Sequence, residues 1–233
     1  ATGLTPAKTV LAGNPTAEDT SKILNYNADM EYRRCGRTNL MISAAALGGH
    51  WKRVDKMIGG EDVPGWMTMN IASPQFKKNR ADVVTRCIER GINYVDACCR
   101  EEILAYAEAL RGRRDKMYFG YSWHVKESRF PEWRPAKALQ QGLDEGMKEA
   151  GLEYVDLWRI SLLTDSVRHT QAEVDEAVAA LDWAKKTGRA RFIGFSSHDR
   201  SHLKKLIETY PEQMEVILTP YTASTKVVTD ETG

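Results

Sequence analysis

"GINYVDACCREEIL", residues 91–104, predicts the end of a buried strand that runs directly into a helix. Gly91 ends the preceding helical stretch, and the short apolar run 92–97 contains one carboxylate, Asp96. Two adjacent cysteines, Cys98 and Cys99, occupy the turn that follows. A carboxylate at this position either takes part in catalysis or cofactor contact, or accepts hydrogen bonds from backbone N–H groups at the start of the next helix. The stretch leaves both roles open for Asp96.

The same alternation of short apolar runs and amphipathic helical stretches extends in both directions. Strands are predicted at 42–48, 92–97, 116–122, 154–161, 190–197 and 214–220, and helices at 81–91, 101–112, 135–151, 171–188 and 199–210. The apolar runs lack strict alternation, which is typical of parallel strands buried on both faces. Repeated strand–helix units predict a closed barrel or an open doubly wound sheet. No Gly-x-Gly-x-x-Gly follows a strand, which favours the barrel.

The predicted fold class is therefore α/β, a (β/α)8 TIM barrel of which this chain holds about six βα units. A full barrel has eight, so we expect the C-terminal units to be missing. Residues 1–29, small and polar, are predicted to form an N-terminal arm, and residues 30–233 the barrel domain. Residues 30–43 predict a hairpin at the base of the barrel. Asp156, in the middle of a predicted strand, is expected to be structural.

Composition narrows the classes of function. Lys plus Arg number 33 against 32 Asp plus Glu, a net charge of +1, so the chain lacks the basic field that nucleic acid requires. No apolar run approaches the roughly 20 residues of a membrane helix. The four cysteines have no Cys-x-x-Cys spacing, which argues against a zinc ribbon. We therefore expect a small-molecule substrate, with neither nucleic acid nor membrane as partner; the oligomeric state is not predicted.

Several stretches resemble the aldo-keto reductases, NADP(H)-dependent carbonyl reductases on a (β/α)8 barrel. They occur in family order over residues 30 to about 220: "MEYRRCGRTNLMISAAALGG", "GINYVDA", "EALRGRRDKMYF", "AGLEYVDLWRIS" and "KKTGRARFIGFSSHD". The chain is most similar to an exported bacterial branch of the family. The resemblance implies reduction of an aldehyde or ketone and, less directly, export of the protein.

The resemblance also implies a catalytic tetrad of Asp, Tyr, Lys and His at the strand ends. In the family the Tyr gives a proton to the carbonyl oxygen, and the Lys, paired with the Asp, lowers the pKa of that Tyr. Asp96 matches the family Asp, but no tyrosine aligns with the donor. Ser122 stands at the Lys position and Ser161 at the His position. We therefore expect a different proton donor beside Asp96, with Tyr121, His124 or a cysteine as candidates.

The implied cofactor is NADP. Ser196 and Ser197 in "GFSS" match the pair that holds the nicotinamide amide, with Ser in place of the usual Asn. Leu218 stands where the family often has a Gln. The loop beside the nicotinamide ribose is matched at Gly49, His50 and Trp51. The family segments that grip the pyrophosphate and the 2′-phosphate lie beyond the matched stretches, so NADP is implied by the resemblance alone.

Strand ends of such a barrel converge on one mouth, where active sites sit. The polar residues expected there are His50, Asp96, Cys98, Cys99, Ser122, His124, Ser161, Ser196, His198 and Tyr221. Three functions remain open: a reductase with a rebuilt proton donor, a barrel that binds a ligand without turnover, and a metal- or thiol-assisted hydrolase or lyase. His198 and His202 lack the Glu of a His-Glu-x-x-His motif, so no metal site is predicted.

Overall fold

The computed structural model describes residues 20–61, 69–162 and 169–222. Five parallel strands form a sheet in the order β3-β4-β5-β6-β7, and a helix follows each of the first four strands. The strands are β1 Tyr32–Arg34, β2 Met41–Ser43, β3 Tyr94–Ala97, β4 Tyr118–Tyr121, β5 Val155–Ser161, β6 Ala190–Ser196 and β7 Val216–Leu218. The helices are α1 Val54–Met57, α2 Pro74–Glu89, α3 Arg100–Ala109, α4 Ala136–Ala150, α5 Gln171–Lys186 and α6 Arg200–Thr209. The result is a partial (β/α) barrel, which confirms the predicted fold class.

The prediction of a strand over residues 42–48 is wrong. Residues 41–43 form β2, which pairs antiparallel with β1 in the hairpin. Only Leu47 joins the parallel sheet, through a bridge to Val95 in which the Leu47 N–H donates to Tyr94 O at 2.9 Å and the Asp96 N–H to Leu47 O at 2.9 Å. The apolar run "ISAAALG" thus takes part in two strand pairings. Its first residues pair with β1 in the hairpin, and Leu47, a few residues later, pairs with Val95 at the edge of the sheet.

The hairpin lies at the amino-terminal end of β3, as predicted. The Asn93 side chain accepts a hydrogen bond from Ser43 N at 2.9 Å and donates one to Met41 O at 2.9 Å. Leu40 packs inside the sheet in a cluster with Tyr118, Leu157 and Val216. The hairpin therefore closes the base of the barrel with apolar side chains.

Part of the predicted N-terminal arm belongs to the barrel body. Ile23 is buried, and Leu24 packs against the cluster under the hairpin. The Asn25 side chain donates a hydrogen bond to Lys116 O at 2.5 Å. Residues 1–19 of the arm lie outside the described residues.

Local signals explain where the helices start. Ser73 caps α2 by accepting a hydrogen bond from Phe76 N at 3.1 Å, with Pro74 in the first helical position, so α2 begins earlier than predicted. Thr170 and Glu173 form a capping box at α5. None of the helices in the described ranges is both long enough and apolar enough to cross a lipid bilayer.

The main core lies between the sheet and its helices. It combines the helix-facing side chains of the strands, such as Val95, Phe119 and Ile193, with the inner faces of α3, α4 and α5. Asp156 is buried in β5 and bonds Arg114 at 2.7 Å and Arg191 at 2.6 Å. It also accepts from Phe119 N at 2.8 Å, so its predicted structural role is confirmed.

Candidate active site

The carboxyl ends of the five parallel strands open onto one cavity of about 540 Å³. Its wall combines the loops after β3, β4, β5, β6 and β7, as expected for the mouth of a barrel. Most of the polar residues predicted to meet there line it: His50, Asp96, Cys98, Ser122, His124, Ser161, Ser196 and His198. Cys99 is buried outside this cavity, and Tyr221 is exposed. The predicted convergence is therefore confirmed, with these two exceptions.

The floor of the cavity holds an ion pair that the sequence analysis missed. Arg159, on β5, donates a hydrogen bond to Asp96 on β3, and only 2% of its side chain is exposed. Tyr94 donates to the same Asp96 oxygen at 3.0 Å. Burial lowers the pKa of Arg159, but Tyr94, Asp96 and Glu127 oppose it and leave that pKa raised. A charged guanidinium therefore faces the cavity beside the surviving family carboxylate.

This arrangement changes the role expected for Asp96. Cys99, not Asp96, is the residue that precedes α3, and it makes no side-chain cap. The Asp96 carboxylate instead bonds two side chains of the sheet interior, Arg159 and Tyr94. The capping alternative is therefore wrong, and Asp96 belongs to the floor of the cavity.

A buried carboxylate, Glu127, ties together the two positions where the family has Lys and His. It accepts from Ser122 Oγ and from Ser161 N, each at 2.8 Å. It also accepts from Trp123 N at 2.8 Å and from the Trp158 indole at 3.3 Å. Burial raises the pKa of Glu127, and these hydrogen bonds oppose that shift. The Ser122 hydroxyl and the Ser161 backbone N–H are thus held by Glu127, while both residues line the cavity.

A second carboxylate, Glu102, holds the cavity edge. Its oxygens accept from the backbone N–H of His50 and, at 2.8 Å, from that of Cys98. The His50 ring nitrogen Nδ1 lies 2.9 Å from the same carboxylate, and Cys98 Sγ lies 3.8 Å from each ring nitrogen of His50. A Cβ on Gly49 would collide with Glu102, so the glycine leaves the space that this carboxylate occupies. Glu102 therefore positions both His50 and Cys98.

The thiols are poor nucleophiles in this setting. Burial raises the pKa of the Cys98 thiol well above its usual range, and the Glu102 carboxylate adds to the shift. Burial, again reinforced by Glu102, raises the pKa of Cys99 to about 12. All four cysteines are free thiols. Because the thiolate is the reactive form, this argues against direct nucleophilic catalysis by either residue.

Two of the candidate proton donors lie in opposite environments. His124 lines the cavity, and its Nδ1 lies 2.8 Å from Cys98 O, so that nitrogen carries a proton and the ring is held in place. Tyr121 points to the other side of the sheet, where a Cβ on Gly146 of α4 would collide with its hydroxyl. That hydroxyl is buried without a partner among the described residues. The prediction of Tyr121 as a catalytic donor is wrong, because side chains alternate between the two faces of a strand.

Some of the predicted cofactor-binding residues also line the cavity, whereas Trp51 does not. Ser196 and Ser197 line the cavity, as does Leu218. Ser197 also shapes the turn after β6, since its hydroxyl accepts from Asp199 N at 3.0 Å. Trp51 instead packs edge-on against Phe76 and Tyr106, with ring centroids 5.5 and 5.2 Å away. Trp51 therefore does not face the cavity, and the prediction that it contacts the cofactor is wrong.

Three residues of this site escaped the sequence analysis, and each left a signal. Arg159 is, with Asp156, one of two charged residues inside a mostly apolar strand run, a position that normally requires a partner. Glu102 lies three residues after the residue that precedes α3, where a carboxylate commonly reaches back to backbone N–H groups. For Glu127 the only signal in the sequence was its position shortly after the end of a predicted strand. The pairings that join different elements were not predicted because the partners are distant in the sequence: 63 residues for Arg159 and Asp96, 52 for Glu102 and His50, and 34 for Glu127 and Ser161.

Comparisons with known proteins agree with the resemblance found in the sequence. No family model matches the chain. The L-glyceraldehyde 3-phosphate reductases of Escherichia coli strains K12 and O157:H7 are each 21% identical over 202 residues, which cover 78% of this chain. The chain spans about half, 50%, of the length of these curated relatives.

Solved structures of aldo-keto reductases share the fold. The thermostable aldo-keto reductase Tm1743, in complex with the inhibitor epalrestat, superposes with a TM-score of 0.59 at 21% identity, covering 82% of this chain and 63% of that one. The holo form of aldo-keto reductase AKR11C1 from Bacillus halodurans gives a TM-score of 0.57 at 17% identity, covering 82% and 58%. An aldo/keto reductase from Brucella melitensis gives 0.57 at 14% identity, covering 82% and 63%. At these identities the likeness concerns the fold.

Proposed function

This chain is an aldo-keto-reductase-like barrel, and from that fold we propose that it is an oxidoreductase that reduces a small aldehyde or ketone with NADP(H). One observation carries the proposal. The family carboxylate Asp96 is retained on the floor of a cavity formed by the strand ends, and it is paired with a buried cation, Arg159. In the resembled family a cation beside this Asp is part of the catalytic machinery. The pairing of this Asp with a cation is thus retained, with Arg159 as the cation in place of the Lys of the resembled family.

The cavity suits the nicotinamide end of the cofactor. Ser196 offers a hydroxyl at the end of β6, and Leu218 contributes an apolar surface beside it. A volume of about 540 Å³ lies in the range of small-molecule sites. NADPH, when bound, supplies the hydride to the carbonyl carbon. The residues that would hold its phosphates are not identified among the described ranges.

The protein's own residues must then stabilise the negative charge on the carbonyl oxygen and supply it with a proton. The Arg159 guanidinium is pre-positioned by Asp96 and stabilises negative charge that develops on an oxygen bound in front of it. His124 is our proposed proton donor: Cys98 O fixes its Nδ1 proton, so its protonated ring can donate from Nε2.

A NADPH titration followed by tryptophan fluorescence tests the cofactor, since the chain contains six Trp. Steady-state reduction of a small aldehyde tests turnover. We expect Asp96→Asn and His124→Gln to lower kcat while the exposed control Asp115→Asn keeps the wild-type rate. Equal rates in wild type, Asp96→Asn and His124→Gln would remove both residues from the mechanism. No NADPH binding would refute the cofactor.

A second candidate is a barrel that binds a small ligand without turnover. It is favoured by the serines at two tetrad positions: Ser122 and Ser161 lack the ammonium and the imidazole of the resembled family, and the Ser122 hydroxyl is bonded to Glu127. The two candidates separate in one experiment. NADPH binding without aldehyde-dependent oxidation of the NADPH, across a panel of aldehydes and ketones, supports the binding protein and contradicts the reductase.

A further inference from the structure

A histidine, a cysteine and a carboxylate meet at the edge of the cavity, on segments far apart in the sequence. His50 lies in the loop before α1, Cys98 follows β3, and Glu102 is in the first turn of α3. One donor atom of each, the imidazole nitrogen, the thiol sulfur and a carboxylate oxygen, lies within 4.8 Å of the other two. We propose that His50, Cys98 and Glu102 bind a zinc-class divalent cation.

The separations suit a small ion with short bonds. Tetrahedral zinc bonds of about 2.0–2.3 Å place neighbouring ligand atoms roughly 3.3–3.8 Å apart. Here Cys98 Sγ is 3.8 Å from the His50 ring nitrogens, and His50 Nδ1 is 2.9 Å from Glu102 Oε1. The half-exposed His50 ring can shift by a few tenths of an ångström, which lengthens its 2.9 Å contact with Glu102 toward the spacing of two zinc ligands.

The charge balance at Glu102 supports a cation. Only 1% of the Glu102 side chain is exposed, and in the described parts of the chain its ion-pair partner is His50 rather than a Lys or Arg. A buried carboxylate is costly unless it is paired or coordinates a metal. His50 provides a positive charge only when protonated, and its ring is half exposed. A bound divalent cation compensates Glu102 while the imidazole is neutral, which is the form in which His50 can be a ligand.

The hydrogen bonds already made by Glu102 leave room for the ion. A carboxylate has about four lone pairs, and Glu102 uses two of them for the backbone N–H groups of Cys98 and His50. The third interaction is the contact with His50 Nδ1. A metal replaces the proton between Nδ1 and Oε1, so that both atoms become ligands while the backbone bonds hold the carboxylate in place. Such outer bonds orient metal ligands in known sites.

The donor set selects the class of metal, and the position suggests its use. Sulfur, imidazole and carboxylate together favour zinc over magnesium or calcium, which prefer oxygen ligands. His50 and Cys98 also line the cavity, so a fourth position faces it and can hold water or a carbonyl oxygen. In a carbonyl reductase that ion would polarise the substrate oxygen. Metal binding itself stands independently of the proposed reductase activity.

The test uses the purified chain after chelator treatment and dialysis. Zinc binding is measured by titration calorimetry, and Co²⁺ is used as a spectroscopic probe. We expect one bound ion per chain and, with Co²⁺, a sulfur-to-cobalt charge-transfer band. Cys98→Ser should abolish that band. Cys98→Ser and His50→Ala should weaken zinc binding by more than about 100-fold, since even outer-shell partners are worth about 10- to 100-fold.

Two matched control variants test whether the loss of zinc binding is specific to Cys98 and His50. Cys87→Ala removes a half-buried thiol on α2, and His202→Ala removes a ring on α6; both should leave zinc affinity unchanged. Circular dichroism establishes that each variant is folded. Three results would overturn the proposal: no zinc binding by the wild type, bound Co²⁺ without a thiolate band, or affinity unchanged in both Cys98→Ser and His50→Ala. The wild-type spectrum decides the matter even if a variant fails to fold.

Discussion

Arg159 on β5 reaches across β4 to donate a hydrogen bond to Asp96 on β3. The residue between them on β4 is Gly120, which pairs with Asp96 on one side and with Leu157 on the other. A glycine there leaves the space that the Tyr94 ring and the Asp96 carboxylate occupy. The cation that neutralises Asp96 therefore comes from two strands away. The Lys position of the resembled family, Ser122, is thereby free to bond Glu127.

Removing Asp96 should destabilise the protein strongly. Arg159 is 2% exposed and Asp96 25% exposed, so Asp96→Ala leaves a buried guanidinium without its carboxylate. We expect a loss of about 3–5 kcal/mol in the free energy of unfolding, measured with urea. The double variant Asp96→Ala/Arg159→Met removes both charges and should recover much of that loss.

The double-mutant cycle separates this ion pair from simple loss of packing. Asp144 and Arg189 form an exposed pair, and Asp144→Ala should cost less than about 1 kcal/mol. If the double variant at Asp96 and Arg159 is as unstable as the sum of its single changes, the two side chains do not interact energetically. The structural assignment of the floor would then be wrong.

Gly120→Ala should disturb the same floor without removing any charge. An added Cβ would collide with the Tyr94 hydroxyl and lie 2.9 Å from Asp96 Oδ1. We expect a loss of about 1–3 kcal/mol, typical of overpacking, in urea unfolding. Tyr94→Phe removes the colliding oxygen, so the pair Gly120→Ala/Tyr94→Phe should be more stable than Gly120→Ala alone. A Gly120→Ala variant as stable as wild type would contradict this packing.

The fold was largely predictable from sequence because local patterns determine it. The strands β3 to β7 and the helices between them follow from apolar runs and helical spacing. The error at residues 42–48 arose because one apolar run feeds two pairings, first in the hairpin and then at Leu47. Periodicity predicts that residues form strands, but it does not identify the strand with which each one pairs.

The site was predictable only in its outline. Strand ends of a parallel barrel converge, so the residues at those ends could be grouped without coordinates. The side-chain pairings could not, because Arg159 and Asp96 are 63 residues apart and Glu102 and His50 are 52 apart. Tyr121 was misassigned for another reason: it is one position before Ser122, which lines the cavity, and one position moves a side chain to the opposite face.

Tyr121→Phe should increase stability. The Tyr121 hydroxyl is buried and lacks a hydrogen-bond partner within the described ranges, so its removal relieves a desolvation cost. We expect a gain of about 1 kcal/mol in the free energy of unfolding. Tyr106→Phe is the matched control: its hydroxyl donates to Gly48 O, so its loss should destabilise by a similar amount. Aldehyde reduction, if catalysed, should be unchanged in Tyr121→Phe, and a large fall in kcat would restore Tyr121 as a donor.

Glu127→Gln should destabilise the protein because the carboxylate oxygens accept all four of the hydrogen bonds that Glu127 makes. An amide presents one oxygen, so its NH₂ group must face either Ser161 N–H or Trp123 N–H. One unsatisfied buried donor costs about 1–3 kcal/mol, which urea unfolding can measure. The exposed Glu132→Gln, in the same segment, is the control and should have little effect.

The cost of Glu127→Gln should also depend on pH. Burial raises the pKa of Glu127 above its ordinary value of 4.5, so the folded state binds the proton more tightly than the unfolded state. The stability that Glu127 contributes is therefore full below pH 4.5 and is lost as the pH rises through its folded pKa. Since Gln does not titrate, the difference between wild type and variant should be largest in acid and smaller near neutrality. A difference that grows with pH would mean that the four donors hold Glu127 ionised, with its pKa below the ordinary value.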